Sequence, residues 1–253
     1  MTHTNFPGKE YFAGRRTVRA FSDEIPSREL LNSILSDAMR APNTGNMQLY
    51  SVIVTRDPER LAALRPAHFN QPASMAPVLL TVCADVRRFE RWCEVSGAQP
   101  EFRNLQGLVA AIIDASIYAQ QIITIAEMHG LGTCWLGTTT YNASEIAAAL
   151  CLPEGVVPVG CIALGYPEGE TAQCERLPLE AVAYEERYPD FSDDRIRDLY
   201  RAKDEFPDNR KFVTENGKQT LAQVFTDVRY PASNSNPFSD KFLQYLRSAG
   251  FKI

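Results

Sequence analysis

An arginine-rich segment near the N-terminus has the residue types best suited to binding a negatively charged group. Arg15, Arg16 and Arg19 place three guanidinium groups within five residues, and Thr17 adds a hydroxyl. A guanidinium group can donate two parallel hydrogen bonds to phosphate oxygens, and it stays charged at any working pH. Because the whole chain has a net charge of −5, the segment indicates either a local phosphate site or an ordinary solvated basic surface.

Two further segments have the chemistry of ligand-binding loops. Asn43, Thr44 and Gly45, with Gln48 nearby, offer amide, hydroxyl and backbone hydrogen bonds. The segment 130–137 contains three glycines, which let the backbone approach a ligand because no side chain obstructs it. Taken alone, the first segment also fits a simple turn and the second a tight helix-to-strand connection.

Several familiar catalytic motifs are missing from the sequence. Its three histidines form no HExxH pattern and its six cysteines have no CxxC spacing, so no metal site is expected. The segment 132–139 has the glycine spacing of a phosphate loop, but Thr138 stands where that loop needs lysine. The acidic balance of the chain offers no general attraction to nucleic acid.

Helices and apolar strands must position these segments. Apolar spacing predicts a helix over 27–39 and a long apolar helix over 105–129. The long helix must be buried on most sides, and our hypothesis is that a second subunit covers part of it. Short apolar runs predict strands at 50–55, 77–84 and 156–164. Charges within the long helix disfavour a membrane span. With no basic and apolar leader at the start, we expect a cytoplasmic protein without a membrane partner.

The C-terminal third is expected to contain fewer regular elements. A capping box at Asn142 predicts a short helix to residue 150, and helices are expected at 192–206 and 239–249. Between the last two, asparagine, glycine and proline are frequent, which indicates turns. We therefore predict one domain over 1–253, with a late excursion at about 190–237 and a C-terminal helix.

The order of the segments RRTVRAF, APNTGNMQ, GLGTCWLG, VPVGCIALGYPEG and ERLP resembles the FMN-dependent nitroreductase family. The resemblance covers residues 10–180 and is closest to the larger, NADPH-using nitroreductases and flavin reductases. It implies an α+β fold with a central mixed sheet flanked by helices. It also implies an intertwined homodimer whose interface forms the flavin site.

The resemblance assigns roles to individual residues. The FMN phosphate and ribityl chain would be bound by Arg15, Arg16, Thr17 and Arg19, with Asn43, Thr44 and Gly45 touching polar groups of the cofactor. Gln71 matches a glutamine at the flavin ring edge. Backbone contacts near the isoalloxazine map onto Trp135, Leu136, Gly137 and Thr138, with the Gly137 backbone as the candidate donor to N5. Arg176 would close over the phosphate, and Cys174 stands where the nearer relatives carry lysine.

The resemblance also implies the reaction. Electrons would pass from NADPH or NADH through FMN to a nitroaromatic, quinone or flavin acceptor in a ping-pong cycle, without a catalytic side chain. Two alternatives remain: an FMN-binding storage or sensing module, and an enzyme of this fold with specialised chemistry. Arg210 and Lys211 fit either a 2′-phosphate contact or plain surface charges, so the choice of nicotinamide stays open.

Overall fold

The computed structural model describes residues 8–253. It divides into two compact units, one formed by the chain up to Thr171 together with Phe238–Ile253, and the other by Ala172–Pro237. In the first unit the helices are α1 (Lys9–Gly14), α2 (Arg28–Ala38), α3 (Pro58–Leu64), α4 (Arg87–Val95), α5 (Leu105–Met128) and α6 (Ala143–Ala149), and the strands are β1 (Tyr50–Thr55), β2 (Val78–Asp85), β3 (Gly132–Leu136) and β4 (Val156–Gly165). The helices after Thr171 are α7 (Asp193–Glu205), α8 (Pro207–Glu215), α9 (Leu221–Val224) and α10 (Ala232–Ser248).

The four strands form one sheet in the order β1-β2-β4-β3. Every neighbouring pair is antiparallel; for example, Trp135 of β3 lies opposite Ile162 of β4. The α+β class is confirmed, but the expected mixed sheet is not found within the described part of the chain. The three strand pairs of this sheet all run in opposite directions. An isolated parallel bridge between Asn104 and Lys252 lies outside the strands.

Helix α5 packs across one face of the sheet and forms the main core with it. The core cluster joins Ala115, Ile122 and Ala126 of α5 to Leu80 and Ile162 of the sheet. All eight residues of β2 are buried, as expected for an inner strand covered on both faces. On the other face, residues of α3 and α6 form a second apolar cluster with the strands.

Part of α5 nevertheless stays exposed. Val109 and Ile113, about one turn apart, are 39% and 49% exposed, although a helix this apolar is expected to be covered on most sides. By length and composition alone α5 could cross a membrane, and 44% of that apolar window is buried inside the structure. A buried core helix meets the same criterion, so the finding has little weight.

The C-terminal third contains more helix than the sequence indicated. The residues read as turns mark helix ends instead: Pro207 occupies the first turn of α8, and Thr220 with Gln223 forms a capping box that starts α9. Helix α10 starts at Ala232 instead of Ser239 and contains Pro237. The predicted capping box at Asn142 was also wrong, because that side chain makes no cap and donates to the Ala67 carbonyl instead.

Candidate functional site

The N-terminal arginine segment runs in an extended conformation beside β3. The backbone N–H of Val18 donates to the carbonyl of Thr133 at 2.9 Å. The Val18 side chain is buried and fills the space above Gly132, where an added Cβ would come within 2.7 Å of it. Since successive side chains of an extended segment point to opposite sides, Arg15, Thr17 and Arg19 share one side.

These three side chains line a cavity of about 520 Å³. Its other walls come from α5 and β3, and the lining residues there are Ser116, Ala119, Gln120, Ile123, Cys134 and Trp135. Two guanidinium groups and a hydroxyl therefore face the same space as an indole ring. This arrangement suits a ligand with an anionic end and a flat apolar end.

Arg16 does not belong to this cavity. It lines a neighbouring cavity of about 490 Å³ together with Glu10, Glu127 and Thr171. Its guanidinium donates to the carbonyls of Gly14 and Thr171, at 3.3 and 3.0 Å. The backbone alternation that groups Arg15 with Arg19 thus directs Arg16 the other way, so the structure does not bring together all three predicted phosphate ligands.

The end of β3 combines a large ring with exposed backbone. The indole of Trp135 lies over Gly160 of β4, where an added Cβ would stand 1.9 Å from a ring carbon. Leu136 is buried in the core, so it can reach a ligand only through its backbone. Gly137 is exposed, and a Cβ added there would meet nothing within 4 Å. A flat ligand can therefore approach the backbone at Gly137 closely.

Gln71 and Thr138, two of the predicted ligand-binding residues, are in hydrogen-bond contact. The amide nitrogen of Gln71 donates to the Thr138 hydroxyl and to the His68 carbonyl, each at 3.2 Å. These two bonds use both hydrogens of that nitrogen, so the amide oxygen is the atom left to accept from a ligand. Sequence analysis assigned no role to His68, but its Nδ1 lies 3.0 Å from the Thr138 hydroxyl. Burial lowers the pKa of His68 to about 4.

The loop of Asn43, Thr44 and Gly45 is attached to α5 at Asp114. The fully buried Asp114 carboxylate accepts from the backbone N–H and the hydroxyl of Thr44, and from the N–H of Leu49 at 3.3 Å. Asn43 accepts from the N–H of Gln48. In the sequence, Asp114 is one of the charges within the long helix that disfavour a membrane span. An isolated acid in such a helix is itself a sign of a buried polar anchor.

This loop is not part of the cavity lined by Arg15 and Arg19. Gly45, which has a left-handed backbone conformation with φ of 55°, lines a different cavity with Met47, Arg88 and Trp92. One chain therefore presents two separate sets of the predicted ligand-binding residues.

Arg176 and Cys174 lie in the second unit. The guanidinium of Arg176 is exposed and donates to the carbonyls of Glu175 and Cys174, at 2.8 and 3.4 Å. Glu175 itself is bound by Lys203 at 2.8 Å and by Asn209 at 3.0 Å, and the Lys203 bond holds the pKa of Glu175 down to about 2. The phosphate role of Arg176 stays a prediction.

Comparison with known proteins decides the family. The nitroreductase family profile matches residues 12–166. The chain is also 30% identical to an FMN reductase (NAD(P)H) of Bacillus subtilis over 94% of this chain and 95% of that protein. The chain belongs to the nitroreductase family. The resemblance drawn from the motifs is thereby confirmed.

Other comparisons cover nearly the whole length of the chain. It is 26% identical to an oxygen-insensitive NADPH nitroreductase of Salmonella typhimurium, over 97% of this chain and 98% of that protein. Its fold matches a crystal structure from Bacteroides fragilis with a TM-score of 0.94 and 45% identity, covering 96% and 99% of the two chains. The fold of NADPH:FMN oxidoreductase from Vibrio harveyi, complexed with NAD+, matches with a TM-score of 0.77 and 23% identity, covering 96% and 97%.

Proposed function

We propose that this nitroreductase is an FMN-dependent enzyme that passes electrons from NADPH or NADH to a small acceptor such as a nitroaromatic, a quinone or free flavin. The observation that carries the proposal is the cavity in which Arg15, Thr17 and Arg19 face Trp135. The relatives named FMN reductase and NADPH nitroreductase support the same chemistry.

The residues present fit FMN. Its phosphate is a dianion, and the two guanidinium groups and the hydroxyl in one wall of the cavity are the donors that such a group requires. The cavity volume lies within the range of about 300–1,000 Å³ that is usual for small-molecule sites. The exposed backbone at Gly137 and the amide oxygen of Gln71 add the polar contacts that a flavin ring edge can use.

Bound FMN supplies the redox chemistry, because it accepts a hydride and passes electrons onward. The protein binds the cofactor and sets its electronic surroundings. Arg15 and Arg19 neutralise the phosphate, Gly137 leaves the approach open, and Thr138 holds the Gln71 amide in one orientation. This division of work accounts for the lack of familiar catalytic motifs in the sequence.

We further propose that the working form is a homodimer in the cytoplasm. The exposed apolar residues Val109 and Ile113 on α5 are where a second copy would pack. A second copy would also bring its own Asn43–Thr44–Gly45 loop to the arginine cavity of the first, so that the two sets of ligand-binding residues complete each other.

The test is to purify the full chain and titrate it anaerobically with NADPH and with NADH. A yellow protein whose flavin absorbance bleaches, and returns on addition of a quinone or nitroaromatic, supports the proposal. A colourless protein that does not bind added FMN would overturn it. A protein that binds FMN but is bleached by neither nicotinamide would point to storage or sensing.

A further inference from the structure

The guanidinium of Arg15 lies in the wall between two cavities. On one side it faces the cavity that contains Thr17 and Arg19, and on the other side it faces the cavity lined by Glu10 and Glu127. The phosphate-binding role proposed for Arg15 uses only the first side, so the second side has a function still to be explained.

Glu127 binds Arg15 from the second side. Its carboxylate is 3.3 Å from Nη2 of Arg15, whereas Nη1 donates to the Thr17 hydroxyl at 3.3 Å. The described contacts therefore hold the guanidinium from both cavities. Because an arginine side chain has several rotatable bonds, two-point fixation lowers the entropy that a bound phosphate would otherwise have to remove.

Glu127 is itself held rigidly. The Tyr11 hydroxyl donates to it at 2.7 Å and the Thr133 hydroxyl donates to its other oxygen; its side chain is only 9% exposed. The residue stands one position before the end of α5, where a negative charge opposes the helix dipole. This acid is thus poorly placed for helix stability, but its donors and Arg15 compensate for that placement.

We propose that Glu127 is a positioning residue for FMN: it orients Arg15 toward the phosphate without touching the cofactor. The proposal rests on the proposed function. It competes with a simpler view, in which Glu127 only ties α1 to α5. It also predicts the opposite of a purely electrostatic effect, in which the Glu127 carboxylate would weaken the binding of an anion at the phosphate site.

The test uses the full chain freed of flavin, titrated with FMN and with riboflavin, which lacks the phosphate. Glu127→Gln should raise the Kd for FMN about tenfold, the usual size for a weakened charge-assisted contact, and leave the Kd for riboflavin unchanged. In an Arg15→Ala background the same change should have no further effect on FMN, because Arg15 transmits it. Glu10→Gln, an exposed residue of the same cavity, removes the same charge and should leave both constants unchanged.

Three outcomes would overturn the positioning role. They are equal weakening of FMN and riboflavin, tighter binding of FMN, and an undiminished effect in the Arg15→Ala background. If Glu127→Gln does not fold, Tyr11→Phe removes one donor from Glu127 and should raise the Kd for FMN about threefold, again sparing riboflavin; no change would then refute the role. Absence of FMN binding by the unmodified chain would instead contradict the proposed function.

Discussion

The Asp114 carboxylate accepts two hydrogen bonds from Thr44, one from its backbone N–H and one from its hydroxyl, each 2.8 Å long. This pairing anchors the 43–49 loop to the middle of α5. Because Asp114 is fully buried, its carboxylate depends on hydrogen bonds from the protein, and these bonds tie the loop to α5.

Asp114→Asn should therefore lower the free energy of unfolding by about 2 kcal/mol, because an amide N–H₂ in place of Oδ2 would face the buried N–H of Leu49. Thr44→Val, which loses only the hydroxyl bond, should cost about 1 kcal/mol. Urea unfolding followed by circular dichroism measures both. Thr44→Ser keeps both donors and serves as the control. A stability for Asp114→Asn equal to that of the unmodified chain would show that the loop is held by other contacts.

Arg16 and Arg19 should differ in their importance for FMN, although they lie only three positions apart in one motif. Arg19→Ala removes a charge from the cavity wall and should raise the Kd for FMN by about tenfold or more, whereas Arg16→Ala should change it less than about threefold. Fluorescence titration of the flavin-free chain compares the two directly. Equal losses would mean that the side chain of Arg16 turns toward the cofactor when FMN binds.

His68 should make stability fall in mild acid. Burial lowers its pKa to about 4 in the folded protein, against about 6.5 in the unfolded chain. Between these values the unfolded chain binds more protons. Protonation of His68 therefore leaves the free energy of unfolding unchanged above about pH 6.5. As the pH falls toward 4, it lowers that free energy by about 3 kcal/mol in all.

His68→Gln should remove that pH dependence. Urea unfolding at pH 7, 6, 5 and 4.5 is the measurement, and the difference between variant and unmodified chain isolates His68 from the carboxylates. His129→Gln, a change at an exposed histidine, should leave the slope as it is. A slope that survives His68→Gln would mean that other groups cause the acid sensitivity.

Ile113→Lys should prevent dimerisation. A charge in the middle of the exposed apolar face of α5 cannot be buried by a second copy without a large cost, so the variant should elute as a 28.3 kDa species and bind FMN poorly. Light scattering coupled to size exclusion measures the mass. Val95→Lys introduces the same charge at another exposed apolar residue and should remain dimeric. A monomeric unmodified chain would remove the basis for the proposed homodimer.

The elements that position the site follow closely from sequence. Strand β1 has the predicted bounds, and the long apolar helix ends at Met128, one residue before the predicted end and just ahead of the left-handed Gly130. These predictions succeed because apolar periodicity and glycine conformation act locally. The same local signals predicted turns over residues 207–237, where proline and glycine instead separate short helices from one another.

The site could be predicted only in part. Motif order predicted that Arg15, Arg19 and Trp135 bind one ligand, and they line one cavity. It could not assign Arg16 to a different side, since that depends on how the segment around Val18 pairs with Thr133. Nor could it identify Glu127 or His68, whose partners lie far away in sequence. Such contacts come from tertiary packing, which no local pattern encodes.

The ring of Trp135 over Gly160 constrains how this protein can have diverged. With no room for even a methyl group at 160, the two positions cannot change independently: a larger residue on β4 requires a smaller one on β3. Across related chains, we expect side-chain volumes at these two positions to be inversely correlated. The shape of the flavin cavity would then be preserved only when both residues change together.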